Sequence, residues 1–158
     1  MLATFKQYWR EDGGIDDMVS DWRLVLDAVL KRGWADPERV AWFGLSMGTA
    51  YGIPVCAADG RIKAAALGMW GVDWGQDARL IQDAQRMKTP VLFQIKAEDE
   101  FFSTDGQRAL FDALACPDKC LRTFAGGHSM SAPGQLDELL DFVSRAFSKE
   151  ESAKRRPS

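Results

Sequence analysis

Ser46 is the residue of this chain whose type and setting point most directly to chemistry. It lies in Gly44-Leu45-Ser46-Met47-Gly48, between the apolar run Val40-Ala41-Trp42-Phe43 and a small-residue segment from Thr49 to Ala58. A strand-turn-helix junction of this kind lifts a serine hydroxyl above a sheet edge, and glycines two residues away on either side relieve the crowded backbone. The hydroxyl alone is a weak nucleophile, so it needs a base to take its proton and a third group to orient that base. His128 is the only histidine in the chain and therefore the candidate base; it sits in the glycine-rich loop Phe124-Ala125-Gly126-Gly127-His128-Ser129 after the strand-like run 120–124. The orienting acid is expected after another strand. Residues 90–97 form the strongest strand pattern and end in Glu98-Asp99-Glu100. One of these three carboxylates is the expected acid, with the other two in a solvated turn. Asp73 also follows a strand and is the reserve candidate.

The elements that must position these groups alternate along the chain. Ile15, Met18, Val19, Trp22, Val25, Leu26, Val29 and Leu30 recur at helical spacing, with Asp16 and Asp17 in the first turn and Gly33 as a stop. The sequence then predicts a strand over 39–44, a helix to Ala58, and a strand over 63–68. Beyond it come a helix over 77–87, a strand over 91–97, a helix over 104–114, a strand over 119–124, and a helix over 135–147. This alternation predicts an α/β fold with a parallel sheet and flanking helical crossovers. Residues 4–10 read as at most one weakly alternating strand. Pro54 is expected to kink or shorten the helix that follows Ser46.

With these residues in hand, residues 16–147 resemble the C-terminal portion of an α/β-hydrolase domain, closest to dienelactone-hydrolase-like esterases. The elbow through Thr49, the run Asp59-Gly60-Arg61-Ile62-Lys63-Ala64-Ala65 and the Gly126-Gly127-His128 loop carry the resemblance, as does the order serine, acid, histidine. It implies Asp99 as the acid, although Ser103 stands where the family's D-x-x-x-P pattern has proline. It also implies that the Met47 amide is one oxyanion-hole donor. The loop from Met69 to Gly75 stands where lids are inserted in that family, and Trp70, Trp74, Phe101 and Phe102, with Met47, are the expected lining of an open apolar pocket. No H-G-G-G-like oxyanion loop occurs upstream of the elbow. The expectation is therefore an α/β-hydrolase fold lacking its N-terminal strands, with a partial domain over 1–148 and a disordered basic tail over 149–158. An unpaired strand at 40–43 would then offer an edge for self-association.

The functional expectation is a serine hydrolase acting on a small carboxylic ester, lactone or thioester, without metal or cofactor. The alternative is a catalytically impaired scaffold acting as a binding or remnant module. A length of 158 residues fits one domain, and 46% hydrophobic content is ordinary for a globular chain. A net charge of −3 gives no electrostatic footprint for nucleic acid. No leader-like or membrane-spanning run is visible, which makes the cytoplasm the expected compartment. Cys56, Cys116 and Cys120 form neither a zinc pattern nor a disulfide framework and are expected as buried thiols.

Overall fold

The computed structural model describes residues 2–154. Ten elements follow in chain order: α1 (Leu2–Glu11), α2 (Ile15–Lys31), β1 (Ala41–Phe43), α3 (Met47–Ala58), β2 (Ala64–Gly68), α4 (Asp77–Ala84), β3 (Val91–Lys96), α5 (Thr104–Ala113), β4 (Lys119–Phe124) and α6 (Gln135–Lys154). The four strands pair in parallel in the order β1-β2-β3-β4, with Trp42 opposite Ala65, Ala66 opposite Leu92, and Leu92 opposite Cys120. Every strand-to-strand connection carries a helix, as parallel pairing demands.

Side chains alternate between the two faces of the sheet. Ala65, Leu67, Val91, Phe93 and Ile95 point into the main core, where they meet Ile53 of α3, Leu80 of α4 and Leu110 of α5. Ala64, Ala66 and Leu92 point the other way, onto Leu139 and Phe142 of α6. Farther along β3 this second face turns polar. The Lys96 ammonium donates to Gln135 Oε1 at 2.9 Å, and the Gln135 amide donates to Gln94 Oε1 at 3.1 Å. Lys96 and Gln94 are both buried, and burial lowers the Lys96 pKa. A buried polar chain of this kind is tolerable only when its members are hydrogen-bonded; here it pins the start of α6 beneath the end of β3.

Residues 4–10 are helical, not extended. The reason is spacing: Phe5 and Trp9 lie four apart on one helix face, a period that a short alternation hides. Trp9 is 0% exposed; its indole N–H donates to Gly75 O at 2.9 Å, and its ring meets that of Trp70 edge-on at 5.3 Å. α3 continues through Pro54 to Ala58, so the proline does not end it. α6 continues to Lys154, which makes residues 149–154 of the expected tail helical; residues 155–158 lie outside the described residues. β1 is shorter than expected and forms one edge of the sheet, with Phe43 60% exposed. α2 leaves part of its apolar stripe, Trp22 and Val25, exposed beside it. Cys56 and Cys116 are buried, and Cys120 is half-buried.

Candidate active site

Ser46 stands between β1 and α3 with φ 55° and ψ −122°, an unfavourable conformation for a residue with a side chain. Neighbouring main chain holds it there. Its N–H donates to Gly68 O at 2.9 Å, while Thr49 Oγ1 accepts from Gly68 N at 2.7 Å and lies 2.7 Å from Gly44 O. The buried hydroxyl of Thr49 thus joins both ends of the elbow to the end of β2. The two glycines of the motif are not equivalent. A Cβ at Gly44 would run into the carbonyl of Gly48, whereas a Cβ at Gly48 would meet nothing within 4 Å. Crowding accounts for the first glycine only.

The β4–α6 loop brings His128 over Ser46, with Nε2 2.8 Å from Ser46 Oγ. On the other side of the ring, Nδ1 lies 2.9 Å from Asp99 Oδ2. The network assigns the tautomer: with Nδ1–H donating to the carboxylate, Nε2 is free to accept from the serine hydroxyl. Asp99 is fixed in its own turn, its Oδ1 accepting the N–H groups of Phe101 at 2.9 Å and Phe102 at 3.0 Å. The Asp99 side chain is 0% exposed and that of His128 12%, so water is largely kept from the contact between them. The Phe101 ring meets the imidazole edge-on at 4.9 Å. Met47, the first residue of α3, follows Ser46, and its N–H has no backbone acceptor among the described residues.

The other carboxylates have different partners. Asp73 is turned to the Ser103 hydroxyl, which donates to its Oδ1 at 2.7 Å, and is not in contact with His128. Ser103 caps α5 by accepting from Gly106 N at 2.9 Å, a helix-start role that serine performs where a proline was expected. Glu98 and Glu100 are not a merely solvated turn. Glu98 Oε2 accepts from Gly126 N, and Glu100 Oε2 accepts from His128 N at 2.8 Å.

Of the expected pocket residues, Trp70, Trp74 and Phe102 belong to the core. Trp70 is 1% exposed, packed among Trp9, Trp74 and Phe102, and the Phe5 and Trp9 rings of α1 cover the face that would have lined a pocket. Phe101 and Met47 keep accessible surface. The space beside Ser46 and His128 lies on the α6 side instead, a groove of about 290 Å³ lined by Leu45, Met69, His128, Met130 and Leu136. Its residues come from four separate segments, so no local pattern announces it. A larger cleft, about 750 Å³, lies around residues that precede β2, β3 and β4, at the opposite end of the strands from Ser46. Among the described residues no helix is long and apolar enough to cross a membrane.

Comparison with known proteins agrees with this architecture. No protein-family model and no curated protein matches the chain. Among solved structures, a cold-adapted esterase from an Arctic intertidal metagenomic library is similar at 32% identity and a TM-score of 0.81, over 90% of this chain and 64% of that one. SOBER1 of Arabidopsis thaliana is similar at 20% identity and a TM-score of 0.70, over 87% of this chain and 66% of that one. An acetyl xylan esterase from Paenibacillus sp. R4 shares the fold at 20% identity and a TM-score of 0.66, over 82% of this chain and 51% of that one. The chain therefore spans a little under two thirds of the length of the cold-adapted esterase.

Proposed function

We propose that this chain, which has the α/β-hydrolase fold and is a relative of esterases built on it, is a serine hydrolase that cleaves a small carboxylic ester. The observation that carries the reading is the continuous line Ser46 Oγ, His128 Nε2, His128 Nδ1 and Asp99 Oδ2, with contacts of 2.8 and 2.9 Å. In this reading Ser46 Oγ attacks the ester carbonyl carbon as its proton passes to His128 Nε2. Asp99 holds Nδ1–H and stabilises the imidazolium without being protonated itself. The carbonyl oxygen becomes an oxyanion against the Met47 N–H. The bond to the alcohol oxygen then breaks, and the alcohol leaves with the proton from Nε2. A water gives its proton to Nε2 and attacks the acyl-serine; the bond to Ser46 Oγ breaks, Oγ takes that proton back from Nε2, and the carboxylic acid leaves.

The groove beside His128 suits a small apolar acyl or alcohol group, since Leu45, Met130 and Leu136 offer it no charge. Lactones and thioesters fit the same chemistry, in keeping with a dienelactone-hydrolase-like esterase. A second reading, a scaffold with impaired turnover, is favoured by the exposed Met47 side of the site, where water competes for the oxyanion. Two measurements on the purified chain test both. Stoichiometric labelling by a fluorophosphonate with release of p-nitrophenol from short-chain p-nitrophenyl esters is the expected result, and both should vanish in Ser46→Ala. Labelling without turnover selects the impaired scaffold, and labelling that survives Ser46→Ala overturns the assignment of the nucleophile.

A further inference from the structure

Three consecutive carboxylates meet three different atoms of the histidine loop. Asp99 faces the ring Nδ1, Glu98 accepts from the main chain of Gly126, and Glu100 Oε2 accepts from the main-chain N–H of His128 at 2.8 Å. We propose that Glu100 is a positioning residue for His128, and that residue 127 is glycine in order to admit its carboxylate. The inference rests on His128 being the base of the reaction described above.

The geometry of a side chain explains why a main-chain contact matters here. Asp99 holds one end of the imidazole, but the ring hangs from Cα, and Cα is placed by the backbone on either side of it. A charge-assisted hydrogen bond to the His128 N–H fixes that pivot, and such bonds are stronger than those between neutral groups. Both ends of the side chain are then anchored to the loop that follows β3, which sets Nε2 at its 2.8 Å from Ser46. The N–H of His128 also holds the Glu100 carboxyl below the usual glutamate range, so the group is charged at neutral pH.

Gly127 supplies the independent observation. A Cβ there would lie 2.8 Å from Glu100 Oε2, with the next atoms, Glu100 Cδ and Glu98 O, already at 3.6 and 3.7 Å. The φ of Gly127 is not positive, so an alanine would be admissible for the backbone. What it would disturb is the carboxylate, the free end of a flexible side chain, which it would push off the histidine amide.

A double-mutant cycle on the rate of fluorophosphonate labelling at Ser46 tests this. Glu100→Ala should slow labelling about tenfold, the scale of one lost charged hydrogen bond. Glu100→Gln, whose amide oxygen still accepts, should recover most of the rate. Gly127→Ala should also slow labelling, yet cause no further loss on top of Glu100→Ala, because the group it displaces is already gone. On an ester that the chain turns over, kcat should fall with KM unchanged. Additive losses, or wild-type labelling in Glu100→Ala, overturn the proposal. A readout free of activity separates it from the hydrolase reading. In proton NMR, the His128 Nδ1 proton should exchange faster with water in Glu100→Ala and Gly127→Ala at an unchanged melting temperature. If the wild type does not label, the hydrolase reading fails, and this exchange rate alone decides: faster exchange supports the clamp and unchanged exchange overturns it.

Discussion

The two flanks of Ser46 are built to different standards. Toward β4, the acid loop and the histidine loop are tied by hydrogen bonds to ring and main chain, and an aromatic cluster of Trp9, Trp70, Trp74 and Phe102 backs them. Toward β1, the sheet ends in a three-residue strand, and Phe43, Met47, Trp22 and Val25 are exposed. A preorganised base needs little rearrangement during reaction, whereas donors at an open, wet boundary stabilise developing charge less well. On the proposed reading, proton transfer would be held by the chain's own contacts, and stabilisation of the oxyanion would limit the rate.

The largest way to break this contrast is to remove the acid. Asp99→Asn should lower the acylation rate by about 10³- to 10⁴-fold through loss of the correct tautomer, as it does in other triads; stopped-flow acylation measures this. An equal loss in Asp73→Asn would move the acid and dissolve the ordered flank. Stability gives the next test. Trp9→Ala should cost about 3–5 kcal/mol by opening a cavity in the aromatic cluster, while Phe43→Ala on the open flank should cost less than about 0.5 kcal/mol. Urea unfolding compares them, and similar costs would mean that the two flanks are equally packed.

A smaller effect concerns association. Unpaired strand edges template pairing with other chains, so the wild type is expected to self-associate in sedimentation experiments and Phe43→Lys to be monomeric. A monomeric wild type would show that the open flank is adequately protected. The smallest effect lies in the ionic strap on that flank, where Arg61 bridges Asp27 of α2 and the buried Asp59 at 2.5 Å each. Its bonds to Arg61 hold the Asp59 carboxyl below the usual range. A depressed carboxylate stabilises the fold above the ordinary aspartate pKa, about 4, and loses that contribution as pH falls from there through its own lowered pKa. Asp59→Asn should therefore cost about 1 kcal/mol at neutral pH, given that Arg61 is partly exposed, and should flatten the loss of stability with acid seen in thermal melts below about pH 5.

The sequence made the ordered flank legible because its signals are local. A glycine-flanked serine, a lone histidine after two glycines, and a carboxylate run at the end of an apolar strand each mark a loop that must do something unusual. The alternation of elements was equally local, which is why β2, β3, α5 and β4 fall close to their expected bounds. The burial of Trp70 and Trp74 was not legible: the position of their loop points to a pocket, and only a helix that puts Phe5 and Trp9 on one face covers them. Glu98 and Glu100 escaped for a different reason. Their partners are main-chain amides 28 residues away, and no side-chain pattern records those.

The strand order of the sheet is also the order of synthesis. Each new strand can join the edge left by the previous one as soon as its crossover helix exists, so the sheet can grow in one direction as the chain emerges. Ser46 and His128 are 82 residues apart, which at about 5–20 residues per second separates their appearance by roughly 4–16 s. Throughout that interval Ser46 can already stand on its elbow between β1 and β2 with nothing to take its proton. On the proposed reading, reactivity therefore arrives only with the loop that follows β4.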